Sequence, residues 1–229
     1  MKVKTKLLSQ EDAQAKNLGV FAHWEKAKAY LCEKDAVMVR LFRLEPKPPR
    51  KLYGVFDSII RAIVSQQISN KAAHRIWSKV EGLAGCDQSL QALLLDRGIS
   101  VLSDVGLSRT KLSTIETVIQ RYRSGEWSDI SLSSLSDEAL IKALTSVKGL
   151  GPWSANAVLI FGLGRPDVCP IDDFGIKTAL KKHYLSLQMA DFATRTELNK
   201  TVKLIVGNWA PYRTVATLVL WHSLGNAPQ

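Results

Sequence analysis

Apolar residues return every three or four positions along most of the chain, a period that predicts helices and little else. Ala13, Leu18, Phe21, Trp24, Ala27, Ala29 and Leu31 keep roughly that spacing and predict one helix over 10–33. Phe56, Ile59, Ile60, Ile63 and Val64 make a second stripe, which Gln66-Gln-Ile-Ser69 interrupts before a helix resumes from Lys71 to Val80. A short helix over Gln88–Leu95 has Asp87 available as a cap, and a longer one fills Ser108–Tyr122. Ser136–Val147 opens on Ser136 and Asp137, both good caps. Asp173–Lys182, Asp191–Val206 and Ala210–Leu224 complete an all-α reading. Only 34–52 breaks the pattern. Val37-Met-Val-Arg-Leu-Phe-Arg43 is ambiguous, and the proline and basic cluster Leu44-Glu-Pro-Lys-Pro-Pro-Arg-Lys51 argues against helix and predicts an exposed linker.

One junction differs from the others. In Lys148-Gly-Leu-Gly-Pro-Trp-Ser-Ala155 the two glycines end one helix, and Pro152 suits the first position of the next. A hairpin this tight, ending on the free N–H groups of a new helix, seats a phosphate, and Lys148 adds charge beside it. A plain structural turn is the competing reading. A dinucleotide fingerprint is disfavoured, because the third glycine is missing and no strand precedes.

Composition narrows the partner. A chain of 229 residues, 46% of them apolar, can bury a sizeable core. Its formal charge of +10 suits a polyanion. An ordinary basic protein would share that charge; the hairpin turns the reading toward DNA. No apolar run is long enough to span a bilayer, and Met1-Lys-Val-Lys-Thr-Lys6 has no apolar core behind its charges, so neither membrane nor signal peptide is expected. Cys32, Cys86 and Cys169 are scattered, which fits a reducing compartment and predicts no iron–sulfur cluster. With the hairpin, an intracellular, DNA-associated protein is expected.

The hairpin, together with Gly164-Arg-Pro-Asp-Val168 and Pro170-Ile-Asp-Asp173, resembles the helix-hairpin-helix DNA glycosylases, and among them the 3-methyladenine DNA glycosylase II group. Ala62-Ile-Val-Ser-Gln-Gln-Ile-Ser-Asn-Lys-Ala-Ala73 and Trp209-Ala-Pro-Tyr-Arg-Thr-Val-Ala216 extend the resemblance over most of the chain from about residue 50. It implies two helical lobes with the active-site cleft between them: 1–56 plus 169–229, and a central lobe 57–168 holding the hairpin 144–156. It implies a monomer that acts on alkylated bases in duplex DNA. Asp173 takes the catalytic position, and Trp153 and Trp221 take aromatic positions of the base pocket. Gln67 takes the minor-groove wedge position, flanked by Gln66 and Ser69. Lys148, Gly149 and Gly151 meet phosphates, and the carbonyls of Thr145, Val147 and Leu150 hold a monovalent cation (Na+ or K+); apart from the resemblance, Lys111 could meet a phosphate as well. No cofactor is implied for catalysis.

The residues support a chemistry of their own. Adjacent Asp172 and Asp173 point in different directions on a helix and cannot flank one bond, so one of them is free to cap; that role suits Asp172. A fixed carboxylate at Asp173 would stabilise the positive sugar that forms as an N-glycosidic bond breaks, or orient the water. Lyase-competent relatives carry a lysine just after the hairpin. Here it is Trp153, which forms no Schiff base, so a monofunctional enzyme is expected. An aromatic face gains about 0.5–2 kcal/mol on a cationic base and less on a neutral one. Both tryptophans can instead be core residues, Trp221 more readily than Trp153 beside the hairpin. Gln66-Gln-Ile-Ser69 can be a polar junction, and an exposed basic loop explains Arg109 and Lys111 as well as phosphate contact does. Ala157 replaces a tyrosine of some relatives, which widens the expected pocket. A DNA-binding homologue that does not excise, and a bifunctional glycosylase/lyase, stand as rivals.

Overall fold

The helices follow from caps that the sequence supplies at nearly every turn. The computed structural model describes residues 19–85, 88–185 and 195–225. A 3-10 turn (Gly19–His23) leads into α1 (Trp24–Lys34) and α2 (Ala36–Phe42). Then come α3 (Val55–Ser65), α4 (Asn70–Gly82), α5 (Leu90–Arg97), α6 (Arg109–Arg123), α7 (Asp129–Ser133) and α8 (Asp137–Thr145). Next, α9 (Pro152–Ala157) widens into a π turn (Val158–Gly162). The last helices are α10 (Phe174–Leu180), α11 (Arg195–Gly207) and α12 (Arg213–His222). Among the described residues there is no strand. Ser69, Ser89, Ser108 and Ser136 each cap the helix that follows, through a side-chain oxygen that accepts a backbone N–H.

Two expectations change. Ala36–Phe42 is helical although the neighbouring prolines argued against it. Asp35 starts the helix by accepting from the Val37 and Met38 amides, and Met38, Leu41 and Phe42 are buried, so tertiary burial outweighs the β-branched local sequence. The single helix expected over 10–33 is a 3-10 turn followed by α1, and its first part lies outside the described residues. The cap of α5 is Ser89; Asp87 also lies outside the described residues.

α3 is the hub. It is buried around most of its circumference, from Val55 and Phe56 to Ile63 and Val64, because α4, α6, α7, α9 and the π turn surround it. Asp129 caps it from a distance, accepting from Val55 N (3.2 Å) and Phe56 N (3.1 Å). α12 is the other buried helix, closed from Thr214 to Trp221 and packed on α1, α2 and α10. Segment 165–168 is sewn onto it: Thr214 donates to the Arg165 carbonyl, Thr217 donates to that of Val168, and Arg213 pairs with Asp167 at 3.1 Å. One apolar core runs through both helix groups. Among the described residues no helix is long and apolar enough to cross a membrane.

Candidate active site

The hairpin is built by two consecutive turns and one obligatory glycine. Val147 N–H returns to the Leu144 carbonyl (3.1 Å), and Leu150 N–H to that of Val147 (3.0 Å). Gly149 sits at φ +98°, and a Cβ there would fall 2.2 Å from Thr114 Oγ1, so conformation and space both demand glycine. Gly151 is the N-cap of α9 and Pro152 its first residue. The lost proline N–H costs nothing there, and Lys148 is exposed just before the turn. Trp153 follows directly, 37% exposed.

The Gln66–Ser69 junction separates α3 from α4. Gln67 is exposed and held at φ +55°, a strained setting for a residue with a side chain. Ser69 caps α4. Two residues assigned to DNA contact have other partners. The Gln66 amide donates to the Gly149 carbonyl (2.8 Å) and to Ser154 Oγ (2.8 Å), which ties the junction to the hairpin. Lys111 is not a free surface cation: its Nζ donates to the carbonyls of Val64 (2.8 Å) and Gln66 (2.9 Å), closing the C-terminal end of α3. Burial lowers the Lys111 pKa from its usual value.

Asp173 stands at the N-terminus of α10. Its Oδ1 accepts two bonds, from the Ile176 amide (2.8 Å) and from Trp221 Nε1 (2.9 Å). No donor among the described residues reaches its Oδ2. The cap of α10 is therefore Asp173 and not Asp172, whose side chain is 93% exposed and pairs with Lys177 at 2.9 Å. Gly175 makes the arrangement possible, since a Cβ there would lie 3.0 Å from Asp173 Oδ1 and 3.1 Å from Trp221 Cδ1.

Trp221 is only 9% exposed and stacks on Phe161, with ring centroids 6.2 Å apart and planes 18° from parallel. Its indole thus aims a carboxylate as well as presenting an aromatic body. Sequence reasoning missed Phe161, Gly175 and the indole bond. Phe161 lies in the apolar run Val158–Gly162, where nothing marks it out from core. Phe174, beside the aspartate, is 84% exposed. Nearby Cys169 offers no nucleophile, because burial pushes its thiol up to about 11. The Asp173 site therefore supplies a carboxylate with one oxygen anchored and one unclaimed beside an aromatic body, and the hairpin supplies a tight turn with an exposed lysine.

Comparison with known proteins identifies the family. The family model described as HhH-GPD superfamily base excision DNA repair protein matches residues 60–204. DNA-3-methyladenine glycosylase 1 of Schizosaccharomyces pombe is 29% identical over 202 residues, 86% of this chain and 86% of that one. The DNA-3-methyladenine glycosylase of Saccharomyces cerevisiae is 31% identical over 210 residues, covering 79% of this chain and 70% of its own. The solved S. pombe 3-methyladenine DNA glycosylase in complex with abasic DNA superposes with a TM-score of 0.71 at 28% identity, over 89% of this chain and 98% of that one.

Proposed function

The chain belongs to the HhH-GPD superfamily of base excision DNA repair proteins, and on that premise we propose how its residues divide the work. It is a monofunctional enzyme of the DNA-3-methyladenine glycosylase type, and its partner is DNA. Its substrates are alkylated purines, 3-methyladenine-like, taken out of duplex DNA by a monomer. Flipping costs a few kcal/mol, less at a damaged pair, and Gln67 fills the gap that the base leaves.

The observation that carries the catalytic assignment is the unclaimed Oδ2 of Asp173 beside an Oδ1 fixed by two donors. As the N-glycosidic bond lengthens, positive charge grows on the deoxyribose; a carboxylate that cannot rotate stabilises it without reorganising. The leaving base carries its own positive charge, so no strong general acid is needed. Water then adds to the sugar and its proton passes to the carboxylate or to solvent. Trp153 at the position of a lyase nucleophile supplies an aromatic face and no amine. Preference for cationic bases follows, since a ring face gains about 0.5–2 kcal/mol on a cation and less on a neutral base.

The carbonyls of Thr145, Val147 and Leu150 fit a monovalent cation. They are neutral oxygens on one hairpin, and no backbone N–H among the described residues reaches those of Thr145 and Leu150. A cation there would supply positive charge toward a DNA phosphate, which Lys148 and the α9 amides already favour.

The test is base release from methylated duplex DNA, with the free bases identified by chromatography and strand cleavage assayed separately. Release of 3-methyladenine without enzymatic nicking is the expected result. A borohydride-trapped covalent adduct would overturn the monofunctional assignment. Tight DNA binding without release would establish a binding homologue instead.

A further inference from the structure

Gln67 holds a left-handed backbone that a side-chain-bearing residue adopts only when its surroundings impose it. Those surroundings are specific. From one side, Lys111 Nζ grips the Val64 carbonyl (2.8 Å) and the Gln66 carbonyl (2.9 Å), the last turn of α3 and the residue just before Gln67. From the other, the Gln66 side-chain amide reaches the Gly149 carbonyl (2.8 Å) and Ser154 Oγ (2.8 Å), on both limbs of the hairpin. Thr114, on the same face of α6 as Lys111, shares its one hydroxyl proton between the Thr110 carbonyl (3.1 Å) and the Lys148 carbonyl (3.2 Å). One helix thus holds the Gln67 junction with one side chain and the hairpin with the next.

We propose that Lys111 and Gln66 are positioning residues that lock Gln67 to the phosphate-binding hairpin, so that seating the hairpin and driving Gln67 into the duplex are one rigid movement. The inference rests on the excision reading above. Lys111 suits the task because an ammonium is a donor only, and two of its three protons are already given to backbone carbonyls. A surface phosphate ligand would keep them for DNA. Gln66 suits it because its amide can donate to two acceptors at once.

The test compares single-turnover excision of one 7-methylguanine in two duplexes. In one the lesion is paired with cytosine; in the other it faces a tetrahydrofuran abasic analogue and needs little unpairing. Lys111→Met is expected to leave affinity and its salt slope unchanged. It should slow the paired lesion between about 10- and 100-fold, the scale of a misplaced group, and the unpaired one less than about 2-fold. In a Gln67→Ala background Lys111→Met should add nothing, because the group it positions is gone. Gln66→Met, which keeps the length and loses the donor without adding charge, should give the same pattern and carries the test if Lys111→Met does not fold. Equal slowing of both duplexes would reduce the clamp to general scaffolding. A salt slope lower by about 1 would make Lys111 a phosphate ligand. Either result sinks the proposal. A wild-type protein that releases no base from either duplex or from methylated DNA would remove the excision reading and this inference with it, whereas active wild type with uniformly slowed variants removes only the clamp.

Discussion

Asp35 and Asp173 are the same device with one difference, the fate of the second oxygen. Each caps a short helix, and each takes an indole N–H from a buried tryptophan on the C-terminal side of the chain. At Asp35 both oxygens are consumed: Oδ1 accepts from Val37 (2.8 Å) and Met38 (3.3 Å), and Oδ2 from Tyr184 (2.8 Å) and Trp209 (2.8 Å). Asp129 is likewise spent, with Phe56 and Tyr122 on Oδ1 and Val55 on Oδ2. At Asp173 the amide and the indole converge on one oxygen, and the other has no donor. A carboxylate satisfied on both sides contributes stability; one satisfied on one side is aimed.

The widest separation comes from the same substitution at both places. Asp173→Asn keeps a side-chain oxygen for the cap, so it should cost under about 1 kcal/mol of stability. It should still lower single-turnover excision by at least about 100-fold, with DNA affinity retained. Asp35→Asn reverses this. One of its two donor pairs then meets an NH2 group, at a cost of about 2–3 kcal/mol in denaturant unfolding, while excision by the folded fraction is unchanged. Equal behaviour of the two variants would erase the distinction. Next in size is Gly175→Ala. Its methyl would press on Asp173 Oδ1 and the Trp221 ring, turning the carboxylate, so excision should fall about 10- to 100-fold while affinity holds.

How much of this was legible depended on whether a residue's partner was local. Ser69, Ser108 and Ser136 cap helices three residues away, and the glycines of the hairpin act within it, so the all-α fold and the hairpin could be read directly from order and spacing. Asp173 was legible only through resemblance, since beside Asp172 nothing local told the cap from the free carboxylate, and the cap expected of Asp172 falls on Asp173. Its reason for being aimed was not, because Trp221 lies 48 positions away and the indole bond leaves no periodic trace. For the same reason Lys111 read as a loop cation: its acceptors are the carbonyls of Val64 and Gln66, more than forty positions upstream. The α2 helix was hidden differently. Asp35 and three buried apolar residues impose it on a sequence whose local preference is weak and whose neighbours are prolines.

Asp57 sharpens the comparison from the α3 end. It lies beside spent Asp129, and burial first, then the Asp129 charge, raises its pKa from 3.8 to about 6. The folded state therefore binds this proton more tightly than the unfolded chain does. The protonated form gives its full contribution below about pH 4, and that contribution is lost as pH rises to and through about 6. Asp57→Asn should accordingly stabilise the protein by about 1–2 kcal/mol at pH 7.5 and do little at pH 4. Thermal unfolding of both proteins at the two pH values checks this; a gain of equal size at both would show that the carboxyl is not the strained group.

The smallest effects are the most specific. Trp221→Phe and Trp209→Phe each remove one indole N–H and keep an aromatic body. At Trp209 the loss falls on a carboxylate that retains three other donors, so about 1 kcal/mol of stability should go and excision should stay. At Trp221 the ring can still stack on Phe161, but Asp173 keeps only the Ile176 amide and its free oxygen swings more widely. Excision should drop about fivefold at saturating protein. The decisive reading is its dependence on the leaving base. Aiming a carboxylate at the sugar gives the same loss for 3-methyladenine and 7-methylguanine, because both pass through the same charged deoxyribose. A loss confined to one base would mean that Trp221 acts as a wall of the base pocket, and the parallel between the two aspartates would then extend to their tryptophans in geometry but not in role.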